Sequence, residues 1–356
     1  MADFMAGMVR TAILICMGTI LVWGQSATRP SLGPQPPQTD APEPPGGGFA
    51  SARKLIQEGK YDDAIQQLLG LQARNADLKG LSHELGAAYY AKGDYLKAAD
   101  FLRQALQEDP ADGEATQLLG LSYYLSGRPA DAIPYLEKVQ SWYPRANVDA
   151  SYILAMCYMQ SHDYDRARKA FAAMYDVPPD SAASYLFAAQ QLFRHEFEPV
   201  AEEYAQKATT IDPKLPQAHF LLGELYLFKS RIPEALAEFQ KELAINPASA
   251  ATYYKLGDAY SRLQRFDDAE RVLQRSIWLD STTTGPYILM GKVLAKKGES
   301  ELAVRALQHA LAMDPNNPIT HHLLGQTYRD LGRTEDAERE LKLAEQLQGS
   351  DPASTR

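Results

Sequence analysis

The chain has 356 residues, a formal net charge of −9 and a hydrophobic content of 45%. An acidic chain lacks the cationic field that gathers phosphate groups, so its charge argues against nonspecific binding of nucleic acid. The length alone suggests two or three ordinary domains. Small residues recur at a fixed interval, however, and this predicts a repeat array whose core grows with every unit.

The first 26 residues have the layout of a secretory signal. Arg10 precedes an apolar run from Ala12 to Trp23, and small or polar residues follow that run. About a dozen residues span roughly 18 Å as a helix, whereas the hydrocarbon core of a bilayer is roughly 30 Å thick. We therefore expect residues 1–26 to form a secretory signal peptide, with an uncleaved signal anchor as the alternative.

Residues 27–48 are rich in proline and end in three glycines, Gly46, Gly47 and Gly48. Prolines favour an extended polyproline conformation, and consecutive glycines provide a flexible joint. This composition predicts a disordered linker. It is a stalk if the N-terminus stays in a membrane, and a tail if the signal is removed.

From residue 45 to residue 351 a pattern of 34 residues recurs nine times, with a single step of 35 between Gly120 and Ala155. A small residue inside the first helix of each unit sets the interval: Ala52, Gly86, Gly120, Ala155, Ala189, Gly223, Gly257, Gly291 and Gly325. An alanine follows each of these twelve residues later: Ala64, Ala98, Ala132, Ala167, Ala201, Ala235, Ala269, Ala303 and Ala337. A glycine inside a helix costs about 1 kcal/mol relative to alanine. Its return in one register indicates that two helices approach closely there.

Turn residues divide each unit into two helices. Glycines such as Gly93 and Gly298 follow the first helices, and prolines such as Pro213 and Pro247 follow the second ones. The last helix, from Thr334 to Gln348, carries many charged residues, Glu340 among them, and we expect its polar outer face to close the array. Residues 352–356 are expected to be a frayed tail.

The pattern is clearest from Leu222 through Gly223 and Tyr226 to Phe239 and Pro247. With its period of 34, it resembles the tetratricopeptide repeat (TPR) family. The resemblance implies an all-α fold, a right-handed superhelical α-solenoid of about nine tandem helix-turn-helix repeats. It also implies that the chain binds other proteins.

In that family, ligand peptides lie in a concave groove lined by the first helix of each repeat. The matching positions of this sequence give an aromatic and methionine-rich stretch: Tyr90, Tyr124, Tyr152, Met156, Met159, Phe193, Phe220, Leu227, Phe228 and Tyr254. Such a surface suits a partner peptide or helix, and burial against neighbouring helices is the alternative. Further along, the groove becomes cationic at Arg262, Lys292, Lys296 and Arg329. These four residues form either a site for an anionic ligand or an ordinary solvated face.

The sequence offers no constellation for catalysis, metal binding or a cofactor. His219 and His321 occupy the repeat position that holds Tyr253 and Tyr287 in other units, so we expect them to be packing residues. Cys157 lies on an apolar helix and is expected to be a buried, inert thiol. The chain is therefore not expected to be an enzyme.

Together these features predict a noncatalytic scaffold that binds partner peptides or helices in its groove, without nucleic acid. The signal and spacer are typical of an exported bacterial TPR protein, either periplasmic or secreted, or anchored in the inner membrane with the array outside the cytoplasm. Cell-envelope assembly or secretion is the expected setting. The alternatives are a self-associating structural protein, forming homo-oligomers, and an accessory subunit that presents substrates to a separate enzyme.

Overall fold

A computed structural model describes residues 48–75, 78–142 and 148–349. Within these ranges the chain forms eighteen α-helices and no strand, which confirms the all-α prediction and the division of each repeat into two helices. The predicted signal (1–26), almost all of the linker (27–48) and the predicted tail (352–356) lie outside the described residues. Gly48, placed in the linker by sequence, begins the first described helix.

The helices fall into two compact units that divide after Pro179. Unit 1 contains α1 (Gly48–Gln57), α2 (Tyr61–Arg74), α3 (Leu81–Lys92), α4 (Tyr95–Glu108), α5 (Gly113–Leu125), α6 (Pro129–Trp142), α7 (Val148–Gln160) and α8 (Tyr164–Met174). Unit 2 contains α9 (Ala182–Arg194), α10 (Glu198–Ile211), α11 (Ala218–Phe228), α12 (Ile232–Ile245), α13 (Ala250–Arg262), α14 (Phe266–Leu279), α15 (Thr284–Lys297), α16 (Ser300–Met313), α17 (Pro318–Asp330) and α18 (Thr334–Gly349).

Within each unit, an odd-numbered helix packs on the even-numbered helix that follows it, and the even-numbered helix packs on the next pair. Consecutive odd-numbered helices of a unit also touch each other. Each pair therefore buries its apolar face only with the help of its neighbours, as expected for stacked repeats.

The repeated glycines lie where the two helices of a pair meet. A Cβ placed on any of six glycines would lie only 2.5–2.8 Å from a side-chain atom of the residue sixteen positions later. The six pairs are Gly86 with Leu102, Gly120 with Leu136, Gly223 with Phe239, Gly257 with Leu273, Gly291 with Leu307, and Gly325 with Leu341. The prediction of close helix approach at these glycines is confirmed.

The turn after each odd-numbered helix contains one residue with a positive φ. The turn pattern of the sequence predicts glycines there, and Gly93 and Gly298 have φ of 91° and 82°. Four repeats place another residue in the same conformation: His162, Glu196, Ser230 and Gln264. The geometry of the repeat thus imposes the turn even where the local residue is unfavourable for it.

One detail of the last helix differs from the prediction. Glu340 does not belong to a polar outer face, since its side chain is 12% exposed and its Oε2 lies 2.6 Å from Nδ1 of His321. Neighbouring acidic residues of α18, Glu335 and Glu338, are exposed as expected. None of the helices described here has the length and apolar character needed to cross a bilayer.

Candidate partner-binding surface

In unit 1, most of the predicted groove residues belong to the helix packing. Tyr124, Met156 and Met159 are buried, and Tyr90 and Tyr152 are half-buried. Burial raises the pKa of Tyr124 to about 12, because the interior disfavours the charged phenolate. A partner cannot reach the three buried side chains without separating the helices, so they are not part of a surface.

In unit 2, the predicted aromatic residues divide in the same way. Leu227 is buried, while Phe193, Phe220 and Tyr254 are half-buried. Phe228, at the C-terminal end of α11, is 62% exposed. Its ring meets that of Phe193 from α9 edge-on, with centroids 5.7 Å apart and planes at 79°.

We call the following set the odd-helix face of unit 2: Phe193, Phe220, Phe228, Tyr254, Lys292, Lys296 and Arg329. Contacts between successive odd-numbered helices make it continuous. The Lys255 ammonium of α13 lies 2.7 Å from Oε1 of Glu224 on α11. A Cβ on Gly285 of α15 would lie 3.2 Å from the ring of Tyr254, so α13 and α15 also approach closely.

Arg262, one of the four predicted cations, is neutralised within the chain. Its Nη2 lies 2.9 Å from Oδ2 of Asp258, one turn earlier on α13, and its Nη1 donates to the Leu227 carbonyl at 3.3 Å. This residue links α13 to α11 and is a weak candidate for binding an external anion. We therefore leave it out of the odd-helix face.

Lys292, Lys296 and Arg329 are exposed, and in the described part of the chain no carboxylate lies within 4 Å of their charged groups. Lys297, next along the chain, is the opposite case: its Nζ lies 2.6 Å from Glu270, 3.0 Å from Asp267 and 3.0 Å from Glu299. Those carboxylates raise the pKa of Lys297. The three cations of the odd-helix face are thus available to a ligand, whereas Lys297 serves the fold.

His219 and His321 are confirmed as packing residues, and each is held in the same way. Nδ1 of His219 lies 2.6 Å from Oε2 of Glu238, and its Nε2 lies 3.1 Å from the Pro213 carbonyl oxygen. Three repeats later His321 makes the same two contacts, to Glu340 at 2.6 Å and to the Pro315 carbonyl at 2.9 Å. The repeat register identified both histidines but not their glutamate partners. Each glutamate lies nineteen residues after its histidine, and this shared spacing is the signal that could have revealed it.

Two shallow clefts lie at equivalent positions of different repeats. One, of about 470 Å³, is lined by Pro213, His219 and Lys241 among others, and the second, of about 330 Å³, by residues that include Pro110, Thr116 and Lys138. The matching residues are three repeats apart. Both clefts follow from the way in which one helix pair packs on the next.

Cys157 is fully buried, as predicted, and burial raises the pKa of its thiol to about 12, so the nucleophilic thiolate is scarce near neutral pH. Across residues 48–75, 78–142 and 148–349, no three side chains of the His, Cys, Asp or Glu type come together as a metal site.

Family models described as "Tetratricopeptide repeat" match residues 49–113, 83–150, 123–190, 188–250, 252–287 and 320–351, and one described as "TPR repeat" matches residues 291–332. The chain therefore belongs to the tetratricopeptide repeat family. Its fold is a TPR scaffold, typical of protein–protein interaction, and the family is generally noncatalytic.

Individual relatives are similar over limited lengths. The human (Homo sapiens) intraflagellar transport protein 88 homolog is 30% identical over 103 residues, which are 28% of this chain and 12% of that protein. A chain of the APC/C hetero-tetramer Cut9–Hcn1 is 21% identical with a TM-score of 0.44, over 78% of this chain and 55% of that one. YrrB, described as a TPR protein with an unusual peptide-binding site, is 24% identical with a TM-score of 0.44, over 52% of this chain and 96% of its own.

Proposed function

We propose that the chain is a noncatalytic scaffold whose odd-helix face of unit 2 binds a segment of a protein partner. The observation that carries this proposal is the exposure of Phe228, whose side chain is 62% open to water. Removing a phenylalanine side chain from water is worth about 1.5–3 kcal/mol when burial is complete. A partner that covers Phe228 gains a large part of that free energy.

The surroundings of Phe228 suit an anchor site. Phe193 holds the ring edge-on, a geometry that aromatic pairs favour, so the anchor is ordered before a partner arrives. Phe220 and Tyr254 are half-buried on the same face. A few ordered aromatic side chains commonly supply most of the binding free energy of an interface.

Site-specific photocrosslinking in cells tests this function. A photoreactive residue replaces Phe228 in one variant and Lys342 in another, because Lys342 is exposed on α18, away from the odd-helix face. Crosslinking of a discrete protein from position 228 alone is the expected result. Purified partner should then bind the wild-type chain and lose affinity for Phe193→Ala. Equal adducts from both positions contradict the proposal.

Self-association is the second candidate, and one observation favours it. Trp278 of α14 is 72% exposed, and the Cζ atom of Arg275 lies over its ring, 4.2 Å from the ring centroid. Exposed tryptophans next to arginines are typical of interface anchors. Self-association predicts that the molecular mass in solution rises with protein concentration. It also predicts that the Trp278→Ala variant keeps the mass of the monomer. An accessory role beside a separate enzyme instead predicts an enzyme among the proteins crosslinked from position 228.

The cellular setting is also proposed, on the sequence of residues 1–26. The proposed protein is exported: it is periplasmic, secreted, or held in the inner membrane with its repeats outside the cytoplasm. Such a location fits a role in cell-envelope assembly or secretion. Fusion of alkaline phosphatase after residue 48 tests export, because that enzyme folds in an oxidising compartment. Phosphatase activity that depends on residues 1–26 supports the proposal, and activity that is lacking in a well-expressed fusion contradicts it.

A further inference from the structure

Several charged side chains near the odd-helix face of unit 2 have partners. Lys255 contacts Glu224 at 2.7 Å, and Lys229 contacts Glu202 at 2.5 Å. Arg262 contacts Asp258. The three charged residues of the odd-helix face differ from these. Lys292 and Lys296 of α15 and Arg329 of α17 have no carboxylate within 4 Å of their charged groups among the described residues.

The two lysines also oppose each other. Lys292 and Lys296 are four residues apart on α15 and so lie on the same side of the helix, where like charges destabilise it. Arg329 adds a third positive charge on α17, which touches α15. An anionic ligand would relieve this repulsion.

We propose that Lys292, Lys296 and Arg329 bind an acidic stretch of the partner segment, next to the apolar residue of that segment that covers Phe228. This inference rests on the proposed function, and it adds the chemistry of the ligand. Charge complementarity carries it, since positive groups without partners are grouped on one face of a chain with a net charge of −9. The same net charge disfavours long polyanions such as nucleic acid, so a short acidic peptide is the better occupant.

The helix spacing sets the distance between the two parts of the ligand. Packed helices are about 8–10 Å apart, and two such steps lead from α11, which carries Phe228, to α15, which carries the lysines. The span is therefore about 16–20 Å, which an extended peptide covers with about five or six residues at about 3.3 Å each. Arg329 lies one helix further, so the acidic stretch should continue for about three more residues.

Selection from a random library of dodecapeptides displayed on phage, with the full chain as bait, tests the inference. The expected peptides carry an aromatic or large aliphatic residue separated by about five residues from two or more acidic ones. Selected peptides are then synthesised with a fluorescein label, and their affinities are measured by fluorescence anisotropy.

Two double variants with equal changes of net charge provide the comparison. Lys292→Glu with Lys296→Glu alters the proposed site, while Lys214→Glu with Lys342→Glu alters exposed lysines elsewhere in unit 2. The first should weaken binding about tenfold or more at low salt, and the second by less than twofold. Peptides with lysine in place of the acidic residues should bind the first double variant better than the wild-type chain.

The outcomes separate this inference from the function on which it rests. The selection can instead yield apolar peptides that lack acidic residues and bind both double variants equally. That result overturns the inference that the ligand is acidic, but it supports Phe228 as an anchor. Peptides that bind equally well after Phe228→Ala, or a selection that yields no binding peptide, overturn the proposed function and this inference with it. Binding of labelled single-stranded DNA in preference to acidic peptides also overturns the inference.

Discussion

Gly223 of α11 lies directly against the ring of Phe239 of α12: a Cβ placed on Gly223 would be 2.5 Å from Cε1 of that ring. Phe239 is fully buried, so the ring has little room to move away. We expect Gly223→Leu to destabilise the protein by about 2–3 kcal/mol through overpacking. Urea unfolding monitored by circular dichroism measures the change.

Gly70 of α2 provides the matched control for this effect. It is exposed inside a helix, and a Cβ placed there would meet no atom within 4 Å. Gly70→Leu should therefore stabilise the protein by about 0.5–1 kcal/mol through helix propensity alone. Loss of stability at both positions would mean that close packing does not explain the glycine at 223.

Gln264, in the turn between α13 and α14, has a φ of 58°. Its N–H donates to the Ser261 carbonyl, and the next N–H, of Arg265, donates to the Tyr260 carbonyl at 2.9 Å. This is the hydrogen-bond pattern of a helix end closed by a left-handed residue, and a residue with a Cβ is strained there by about 1–2 kcal/mol. Gln264→Gly should raise stability by about 1 kcal/mol, as read from the midpoint of chemical unfolding.

The equivalent turn residue in the next repeat is Gly298, with a φ of 82°. Gly298→Ala should lower stability by a similar amount, because the new Cβ meets the same strain. If the two substitutions shift the unfolding midpoint in the same direction, turn conformation is not the cause of either change.

His83 and Asp112 form a pair whose stabilising effect depends on pH. Nδ1 of His83 lies 2.6 Å from Oδ2 of Asp112. Burial opposes protonation of the His83 ring, but the hydrogen bond to Asp112 and its negative charge outweigh burial and raise the His83 pKa. Burial also opposes ionisation of Asp112, but its hydrogen bonds to His83 and to the Ala115 N–H outweigh burial and lower the Asp112 pKa. The histidine contribution is full below its ordinary pKa of 6.5 and is lost as pH rises through the folded value. The aspartate contribution is full above 3.8 and is lost as pH falls through its folded value.

The variant that isolates this pair is Asp112→Asn. Asp112 also caps α5 by accepting from the Ala115 N–H at 2.8 Å, and asparagine is an equally good cap. We expect a loss of about 1 kcal/mol near pH 5 that shrinks markedly by pH 9, measured by urea unfolding at both values. A loss of the same size at both pH values would assign the effect to the cap and not to the charge.

The sequence predicted the repeat fold well because its determinants are local and periodic. Gly223 and Ala235 return in one register because two helices must approach there, and that requirement can be read without coordinates. Gln264 is not marked as a left-handed residue by its own chemistry, and only its place in the register, 34 residues before Gly298, could have indicated that conformation. The stacking of the helix pairs imposes it.

The candidate site was less predictable because exposure depends on neighbouring repeats. Leu227 and Phe228 are adjacent and equally apolar, yet one is buried and the other is exposed. Helical periodicity alone does not decide which of them faces the next odd-numbered helix. The pairing of Arg262 with Asp258 was visible as a spacing of four residues, and it was the signal that could have removed Arg262 from the predicted anionic site.

Leu227 and Phe228 also give a direct test of the proposed surface. Leu227 is 4% exposed, so Leu227→Ala should leave a cavity and destabilise the protein by about 2–5 kcal/mol. Phe228→Ala removes a mostly solvated ring. It should lower stability by no more than the contribution of the aromatic pair with Phe193, which is about 0.5–1.5 kcal/mol.

Phe228→Ala should nevertheless weaken binding of the crosslinked partner by about 2 kcal/mol or more, as measured by isothermal titration calorimetry. A Phe228→Ala variant that unfolds as readily as Leu227→Ala would make Phe228 a core residue, and one that binds its partner unchanged would remove it from the interface.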